Sequence, residues 1–288
     1  MIVPALSHDE LLGDIRQANT ADDGLRLWWL GQSGFLVQWK KKHLLFDPYL
    51  SDSLTKKYAT TDKPHVRMTE LVIDPARLDF IDVVTSSHNH TDHLDGETLV
   101  SLLQVNPGAK LVVPAANLQF AAERIESQAP EVLEVSEVYQ RLIPIDDGHT
   151  IEASSFKISA VPAAHETIER DEQNHCRFLG YIVEFGNWTI YHSGDTMRYE
   201  GMANRLRSWK IDIAILPING RAPERRVAGN LWGREAAQLG KDIFAGIVIP
   251  CHYDMFEFNT ASPDEFVEEC KRISQPFRVL KCGERFTI

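Results

Sequence analysis

Three histidines and one aspartate lie within six consecutive positions of this chain, where together they could hold metal ions. They are His88, His90, Asp92 and His93, and they closely follow the mostly apolar run 81–84. Imidazole is the commonest biological metal ligand near neutral pH. In an extended segment His88 and His90 point the same way, because side chains alternate between faces. Asp92 and His93 can then face a second point, so the cluster predicts two neighbouring metal ions.

Further candidate ligands lie where later β-prone runs pass into loops. His165, Asp195 and His252 each follow such a run, and Asp47 occupies a similar place earlier in the chain. A catalytic metal site needs several protein ligands and an open position for water. Two alternatives remain at this stage. His175 could replace His165, and the Ser-Gly-Asp-Thr segment around Asp195 is also good turn chemistry.

The order of these motifs resembles the motif order of the metallo-β-lactamase superfamily. The resemblance lies in His-x-His-x-Asp-His, a lone His, Gly-Asp-Thr and a late Pro-x-His, and it spans most of the chain. The stretches 29–37 and 46–51 are similar to sequences of the branch that contains bacterial L-ascorbate-6-phosphate lactonase. The loop 92–95 also fits the related branch of N-acyl-phosphatidylethanolamine phospholipase D.

The resemblance implies an α/β fold, a four-layer αββα sandwich with metals at one edge between its two sheets. The ligands it implies for the first metal are His88, His90 and His165. Those it implies for the second metal are Asp92, His93 and His252. It also implies that Asp195 bridges both metals and that Asp47 accepts the other N–H of a ligand imidazole, a partner that metal-bound histidines usually have.

Composition and charge exclude some classes of partner. With 288 residues and no linker rich in Gly, Ser or Pro, the chain is expected to form a single domain, 1–288. The formal net charge of −11 disfavours nucleic acid, because such binding depends on neutralising phosphates. The same charge disfavours anionic membranes. We therefore expect a small-molecule substrate, no nucleic acid and no membrane, and a homo-oligomer is compatible with the sequence.

The N-terminal segment and the cysteines predict a cytoplasmic protein. Residues 1–10 lack the basic region and apolar core of an export signal. The four cysteines are widely spaced, without a Cys-x-x-Cys pair, as is typical of reduced thiols. An exported β-lactamase is disfavoured on the same ground.

Strands that alternate with helices predict α/β layers. Ser7 and Glu10 have the form of a capping box, so a helix is predicted to run from there to about residue 18. Residues 51–76 are predicted to be irregular. Further helices are predicted at 96–103, 115–125, 200–208, 234–244 and 263–273. Strands are predicted at 25–30, 34–39, 43–46, 81–86, 110–113, 141–145, 151–160, 178–185, 188–192, 211–216, 247–249 and 278–280.

One basic segment, 219–226, could bind substrate in this acidic chain. Arginine binds phosphate through two parallel hydrogen bonds, so the segment could hold a phosphorylated substrate. The alternative is a solvated loop balanced by Glu224. The candidate substrate residues are Arg221, Arg225, Arg226 and Tyr253, and Tyr49 and Trp232 are candidate pocket walls.

The predicted ligand set favours hydrolysis. Two divalent ions could make hydroxide available near neutral pH and polarise the attacked oxygen, with Asp92 or Asp195 accepting or passing on the proton. The lactonase resemblance implies Mn²⁺, much of the superfamily uses Zn²⁺, and Fe²⁺ fits the ligands as well. The leading hypothesis is a hydrolase of a small lactone or related ester, with or without a phosphate group. The alternatives are a phosphodiesterase and a metal-binding protein without catalysis.

Overall fold

The computed structural model describes residues 1–19, 22–128 and 135–288. Its helices are α1 (His8–Ala18), α2 (Ser53–Tyr58), α3 (Gly96–Val105), α4 (Leu118–Gln128), α5 (Val135–Arg141), α6 (Met202–Leu206), α7 (Gly233–Asp242) and α8 (Asp264–Ile273). Its strands are β1 (Arg26–Trp29), β2 (Phe35–Trp39), β3 (Lys42–Phe46), β4 (Val83–Thr85), β5 (Lys110–Pro114), β6 (Leu142–Ile145), β7 (Thr150–Ala153), β8 (Phe156–Pro162), β9 (Leu179–Phe185), β10 (Trp188–His192), β11 (Ile213–Pro217), β12 (Ile247–Cys251) and β13 (Arg285–Thr287).

The strands form two sheets that face each other. Within the described ranges, one sheet has the order β13-β1-β2-β3-β4-β5-β6 and the other the order β12-β11-β10-β9-β8-β7. The ring of His192 in β10 stacks on Phe46 in β3 with centroids 4.8 Å apart, so the inner faces are in contact. Helix α4 packs on β5 and β6, and α7 packs on β11 and β12. The predicted αββα sandwich is confirmed.

The central strands β9 and β11 are almost entirely apolar because both of their faces are covered. Every residue of β11 is buried, and in β9 only Glu184 is partly exposed. Such continuous apolar runs are typical of strands that lie between a partner sheet and a layer of helices. His192 is likewise buried and packs in this core.

Helix α3 begins directly after the histidine cluster because Asp95 caps it. The Asp95 carboxylate accepts hydrogen bonds from the Thr98 backbone N–H at 3.2 Å and from the Ser53 hydroxyl at 2.8 Å. Such a cap satisfies N–H groups that have no partner within the first turn. The loop from His88 to Leu94 is thereby fixed between β4 and a capped helix.

The structure corrects several predicted elements. The segment 51–76 contains α2, and 151–160 is divided between β7 and β8 by a turn at Ser154 with a φ of 55°. The capping box at Ser7 does not form through side chains, and Glu10 N–H instead donates to the backbone oxygen of Ser7. The strand predicted at 278–280 is wrong: the chain pairs at Phe277 in a single bridge, and the last strand is β13 beside β1.

A helix that crosses a bilayer needs about 20 consecutive, mostly apolar residues. Within the ranges that the structure describes, no helix is both long and apolar enough to span a membrane.

Candidate metal centre

The candidate ligands follow strands whose carboxyl ends meet at one edge. In the second sheet β9 is antiparallel to β8 and β10, while β10, β11 and β12 are parallel. The carboxyl ends of β8, β10 and β12 therefore lie together, and the loops after them carry His165, Asp195 and His252. In the first sheet the parallel strands β3 and β4 end shortly before Asp47 and His88.

The structure brings the seven predicted ligand residues together at this edge. Three sets of side chains have ligand atoms that all lie within 4.8 Å of one another. The sets are His88, His90 and His165; His88, His93 and Asp195; and Asp92, His93 and His252. The first and third sets are the two ligand sets that the family resemblance implies.

Asp195 lies between the two sets. One of its carboxylate oxygens is 3.3 Å from Nε2 of His93. The other is 3.3 Å from Nε2 of His252 and 3.6 Å from Nε2 of His165. Because His165 belongs to the first set and the other two histidines to the second, this carboxylate can face both positions at once.

Hydrogen bonds orient the imidazoles so that Nε2 points into the cluster. Nδ1 of His93 donates to the Asp47 carboxylate at 2.7 Å, and Nδ1 of His165 donates to the backbone oxygen of Gly229 at 2.7 Å. Partners of this kind fix the tautomer and the orientation of a metal-binding ring. The sequence-based placement of Asp47 beside a ligand imidazole therefore agrees with the geometry.

The unpaired atoms of the cluster fit a metal centre. Nε2 of His88, Nε2 of His93 and Oδ1 of Asp195 are buried and make no hydrogen bond with any residue that the structure describes. Buried polar atoms normally have a partner. Imidazole nitrogens and a carboxylate oxygen that converge without partners form a donor set suited to Zn²⁺, Mn²⁺ or Fe²⁺.

The charge states of the cluster also suit a cation. Burial lowers the pKa of His88 well below its usual range and that of His90 to about 4, so both rings are neutral at pH 7. Burial alone would raise the pKa of Asp195, but His252 and His93 hold it well below its usual value. Burial opposes a proton on His93, yet Asp195 and Asp92 outweigh it and raise the pKa of His93. A cation would displace that proton.

Gln32 is a member of this cluster that the sequence reasoning missed. Its side-chain nitrogen donates to Oδ2 of Asp92 at 2.7 Å and lies 3.0 Å from Nε2 of His252. The residue is fully buried in the loop between β1 and β2. Gln32 lies within the stretch 29–37, which resembles one branch of the family. That resemblance did not indicate a role for its side-chain amide.

A cavity of about 610 Å³ opens over the cluster. Its floor includes His90, Asp92, His165, Asp195 and His252. The aromatic residues that line it are Tyr58, Phe120, Phe256 and Phe258, and the cationic ones are Lys57, Lys63, Arg124 and Arg226. A concave site with apolar walls and a few convergent polar groups is typical of small-molecule binding.

The basic segment 219–226 contributes less to this cavity than the sequence suggests. Arg226 lines it, but Arg221 does not, because its guanidinium makes two hydrogen bonds to Glu235. Arg225 donates to the backbone oxygen of Asn219 and lies over the ring of Trp232. Neither of these two guanidinium groups lines the cavity.

The aromatic candidates are also corrected. Tyr253 is buried, stacks on Trp29 with ring centroids 4.4 Å apart, and donates its hydroxyl to the backbone oxygen of Leu280. Tyr49 is buried against Phe256. Neither tyrosine lines the cavity over the cluster. Nothing in the sequence singled out Lys57 or Arg124. Lys57 lies in a helix that was not predicted, and the face of α4 that carries Arg124 is known only once its neighbours are placed.

The fold and this edge-on His/Asp cluster define a metallo-β-lactamase-like protein. The chain belongs to the family described as the beta-lactamase superfamily domain, whose model matches residues 42–253.

Known proteins similar to this chain carry names of the same kind. A metal-dependent hydrolase of the UPF0173 group from Saccharolobus solfataricus is 28% identical over 267 residues, covering 91% of this chain and 99% of the relative. A metallo hydrolase from Ignicoccus hospitalis has a TM-score of 0.63 at 20% identity, covering 92% and 98%. An isothiocyanate hydrolase from Delia radicum gut bacteria has a TM-score of 0.67 at 17% identity, covering 91% and 98%. The likeness to these solved structures shows the fold.

Proposed function

We propose that this protein is a metal-dependent hydrolase of small anionic esters or lactones. The observation that carries the proposal is the set of unpaired, buried Nε2 and carboxylate atoms that converge at the sheet edge, open to a cavity. Relatives that match almost the full chain are named metal-dependent hydrolases, which supports the same reaction class. The ligand set is complete, which argues against a binding protein without catalysis.

The chain's own residues have distinct roles in this proposal. His88, His90 and His165 would hold one divalent cation and Asp92, His93 and His252 the other, with Asp195 facing both. Cations held there would supply acidified water and polarise the attacked oxygen. His93 and His252 lower the pKa of Asp92 against the effect of burial, so its carboxylate is ionised, as a cation ligand requires. Asp92 and Asp195 both line the cavity, where either would pass on the proton.

An anionic substrate is favoured by the cations of the cavity wall. Lys57, Lys63 and Arg124 line the cavity, and none of them has an ion pair with a carboxylate among the residues described. The guanidinium of Arg124 instead donates to two backbone oxygens and lies over the ring of Phe120. Positive groups that no carboxylate neutralises in a concave site attract an anion such as a phosphate. We therefore propose a phosphorylated lactone or ester as the substrate.

The direct test is hydrolysis of L-ascorbate 6-phosphate by protein that has been stripped of metal and refilled with Mn²⁺ or Zn²⁺. Metal-dependent turnover that is absent from the His90→Ala variant would support the proposal. Metal binding without turnover would remove this substrate and leave the hydrolase proposal to be tested with other esters. A protein that binds no divalent cation would contradict the proposal itself.

The second candidate function is that of a phosphodiesterase, and a second cavity beside the first one favours it. A further cavity of about 670 Å³ shares Lys57, Thr91, Phe120 and Arg124 with the one over the cluster. A substrate with groups on both sides of a phosphate could extend from one cavity into the other. Comparing bis(p-nitrophenyl) phosphate with p-nitrophenyl acetate as substrates of the metal-loaded protein would separate the two candidates.

A further inference from the structure

Gln32 places a neutral amide among the charged residues of the second ligand set. Its side-chain nitrogen lies 2.7 Å from Oδ2 of Asp92 and 3.0 Å from Nε2 of His252. Its side-chain oxygen is buried and makes no hydrogen bond within the part of the chain that the structure describes. Leaving a buried carbonyl oxygen unpaired costs about 1–3 kcal/mol, so a role for it is expected.

Gln32 has an unfavourable backbone conformation that neighbouring hydrogen bonds stabilise. Gln32 has a φ of 50°, which is unfavourable for a residue with a side chain. Its backbone oxygen accepts hydrogen bonds from the indole N–H of Trp29 and from the backbone N–H of His252, both at 3.0 Å. The second bond ties the Gln32 loop to the loop of a candidate ligand 220 positions away in sequence. Positive φ angles kept by such contacts are frequent at functional sites.

The nitrogen and the oxygen of the Gln32 side-chain amide would interact differently with Asp92. A half-turn about the terminal bond of the side chain exchanges the nitrogen and the oxygen. The oxygen then faces Oδ2 of Asp92, and two oxygens at that separation repel each other unless a cation lies near both. Amide and carboxylate oxygens are both ligands of hard divalent cations.

We propose that Gln32 supplies its amide oxygen as a further ligand to the cation held by Asp92, His93 and His252. This inference rests on the proposed function, because it requires a cation at the second set. An added carbonyl oxygen favours Mn²⁺ over Zn²⁺ at that position, since oxygen ligands suit the harder ion. The first set consists of three imidazoles, and among the described residues of the three sets Asp195 is the carboxylate that faces it.

The experiment measures Mn²⁺ binding to the full chain by the electron paramagnetic resonance signal of free Mn²⁺. The variants are Gln32→Leu, which removes the oxygen, and Gln32→Glu, which keeps an oxygen but removes the N–H donor. Gln38→Leu is the matched control, because Gln38 is equally buried on the neighbouring strand β2 and lies outside the cavity.

We expect wild type and Gln38→Leu to bind two Mn²⁺ ions alike. Gln32→Leu should weaken one of the two by about tenfold or more, and Gln32→Glu should bind both at least as tightly as wild type. In competition with Zn²⁺, the Leu variant should lose the Mn²⁺ preference of that one position. These shifts are readouts of binding alone and need no substrate.

Several results would overturn the inference. Two wild-type affinities in Gln32→Leu would show that the oxygen is not a ligand. Weak binding in Gln32→Glu would show that Gln32 acts only as an N–H donor that positions Asp92; this result also decides the matter if the Leu variant does not fold. Wild-type protein that binds one cation, with an affinity unchanged in Gln32→Leu, would remove this inference and leave a hydrolase that uses a single cation. Wild-type protein that binds none would remove both.

Discussion

Asp47 and His93 form a buried hydrogen bond of 2.7 Å that joins the end of β3 to the histidine cluster. Both side chains are completely inaccessible to solvent. Because Nδ1 of His93 donates to this carboxylate, Nε2 is directed at Asp92 and Asp195, 3.7 and 3.3 Å away. The backbone N–H of Ser87 also donates to Asp47, at 3.0 Å. The loop and the ring are thus positioned by one carboxylate.

The first prediction concerns Asp47→Asn. An asparagine can still accept from Ser87 through its oxygen, but its NH₂ group then faces His93. Nδ1 of His93 must accept, and the ring proton moves to Nε2, where it blocks a cation. We expect metal affinity to fall by about 10- to 100-fold with little loss of fold, as measured by competition with a chelating dye. Asp82→Asn, in the segment before β4, is the control, and equal affinity in both variants would contradict the prediction.

The second prediction separates two histidines that the sequence left open. His165 lies in the first ligand set, whereas His175 is partly exposed and its ring lies 3.4 Å from the Asp171 carboxylate. His165→Ala should reduce the number of bound cations and abolish turnover, while His175→Ala should change neither. Metal content by atomic emission and circular dichroism are the measurements. Loss of cations and turnover in His175→Ala but not in His165→Ala would show that His175, and not His165, is the ligand.

The third prediction compares two candidate ligands, His90 and Asp195. His90→Ala removes one ligand of the first set, and Asp195→Ala removes the carboxylate that faces both sets. We expect both to lose turnover, and Asp195→Ala to lose more metal, because it weakens two positions. Thermal unfolding should show that both variants remain folded. Full activity in either variant would contradict the metal assignment.

The residues that converge at the sheet edge could be selected from the sequence because each of them follows a recognisable local pattern. Their grouping into two ligand sets came from the family resemblance, and that they bind metal stays a prediction. A histidine or aspartate that directly follows an apolar run is placed at a strand end by its own neighbours, as with His165 and His252. Parallel strands then bring these ends together without further information from the sequence. The alternation of strands and helices predicted α/β layers, and the family resemblance added the four-layer αββα arrangement. That the chain is one domain from residue 1 to 288 stays a prediction.

Residues whose role depends on distant neighbours could not be predicted in the same way. Arg221 looked available for substrate, but Glu235 on α7 satisfies its charge. Gln32 reaches the cluster only because the β1–β2 loop lies against the loop after β12. The last strand was misplaced because 278–280 is as β-prone as β13, and only pairing with β1 distinguishes them.

The fourth prediction tests the cationic wall of the cavity. Lys57→Met and Arg124→Met each keep an apolar stem and remove a charge. We expect KM for an anionic substrate to rise about tenfold, equivalent to about 1.4 kcal/mol, with a smaller change in kcat and little effect on a neutral ester. Lys56→Met is the control, because Lys56 is paired with Glu97 and does not line the cavity over the cluster. An equal effect on neutral and anionic substrates would exclude charge recognition.

The fifth prediction concerns stability in acid and is independent of the metal centre. His43 in β3 is buried beside Phe80, and burial lowers its pKa from 6.5 to about 4. Between these values the unfolded chain binds a proton that the folded chain does not, so stability falls as the pH falls. The contribution is complete above pH 6.5 and is lost progressively below it.

A His43→Leu variant should therefore lose less stability in acid than the wild type. From pH 7 to pH 5 the linkage corresponds to about 2 kcal/mol, which is an upper value for a group that retains some solvation. Urea unfolding of both proteins at several pH values measures the difference, in which the titration of the other histidines cancels. Parallel stability curves for the two proteins across this window would show that His43 is protonated equally in the folded and the unfolded states.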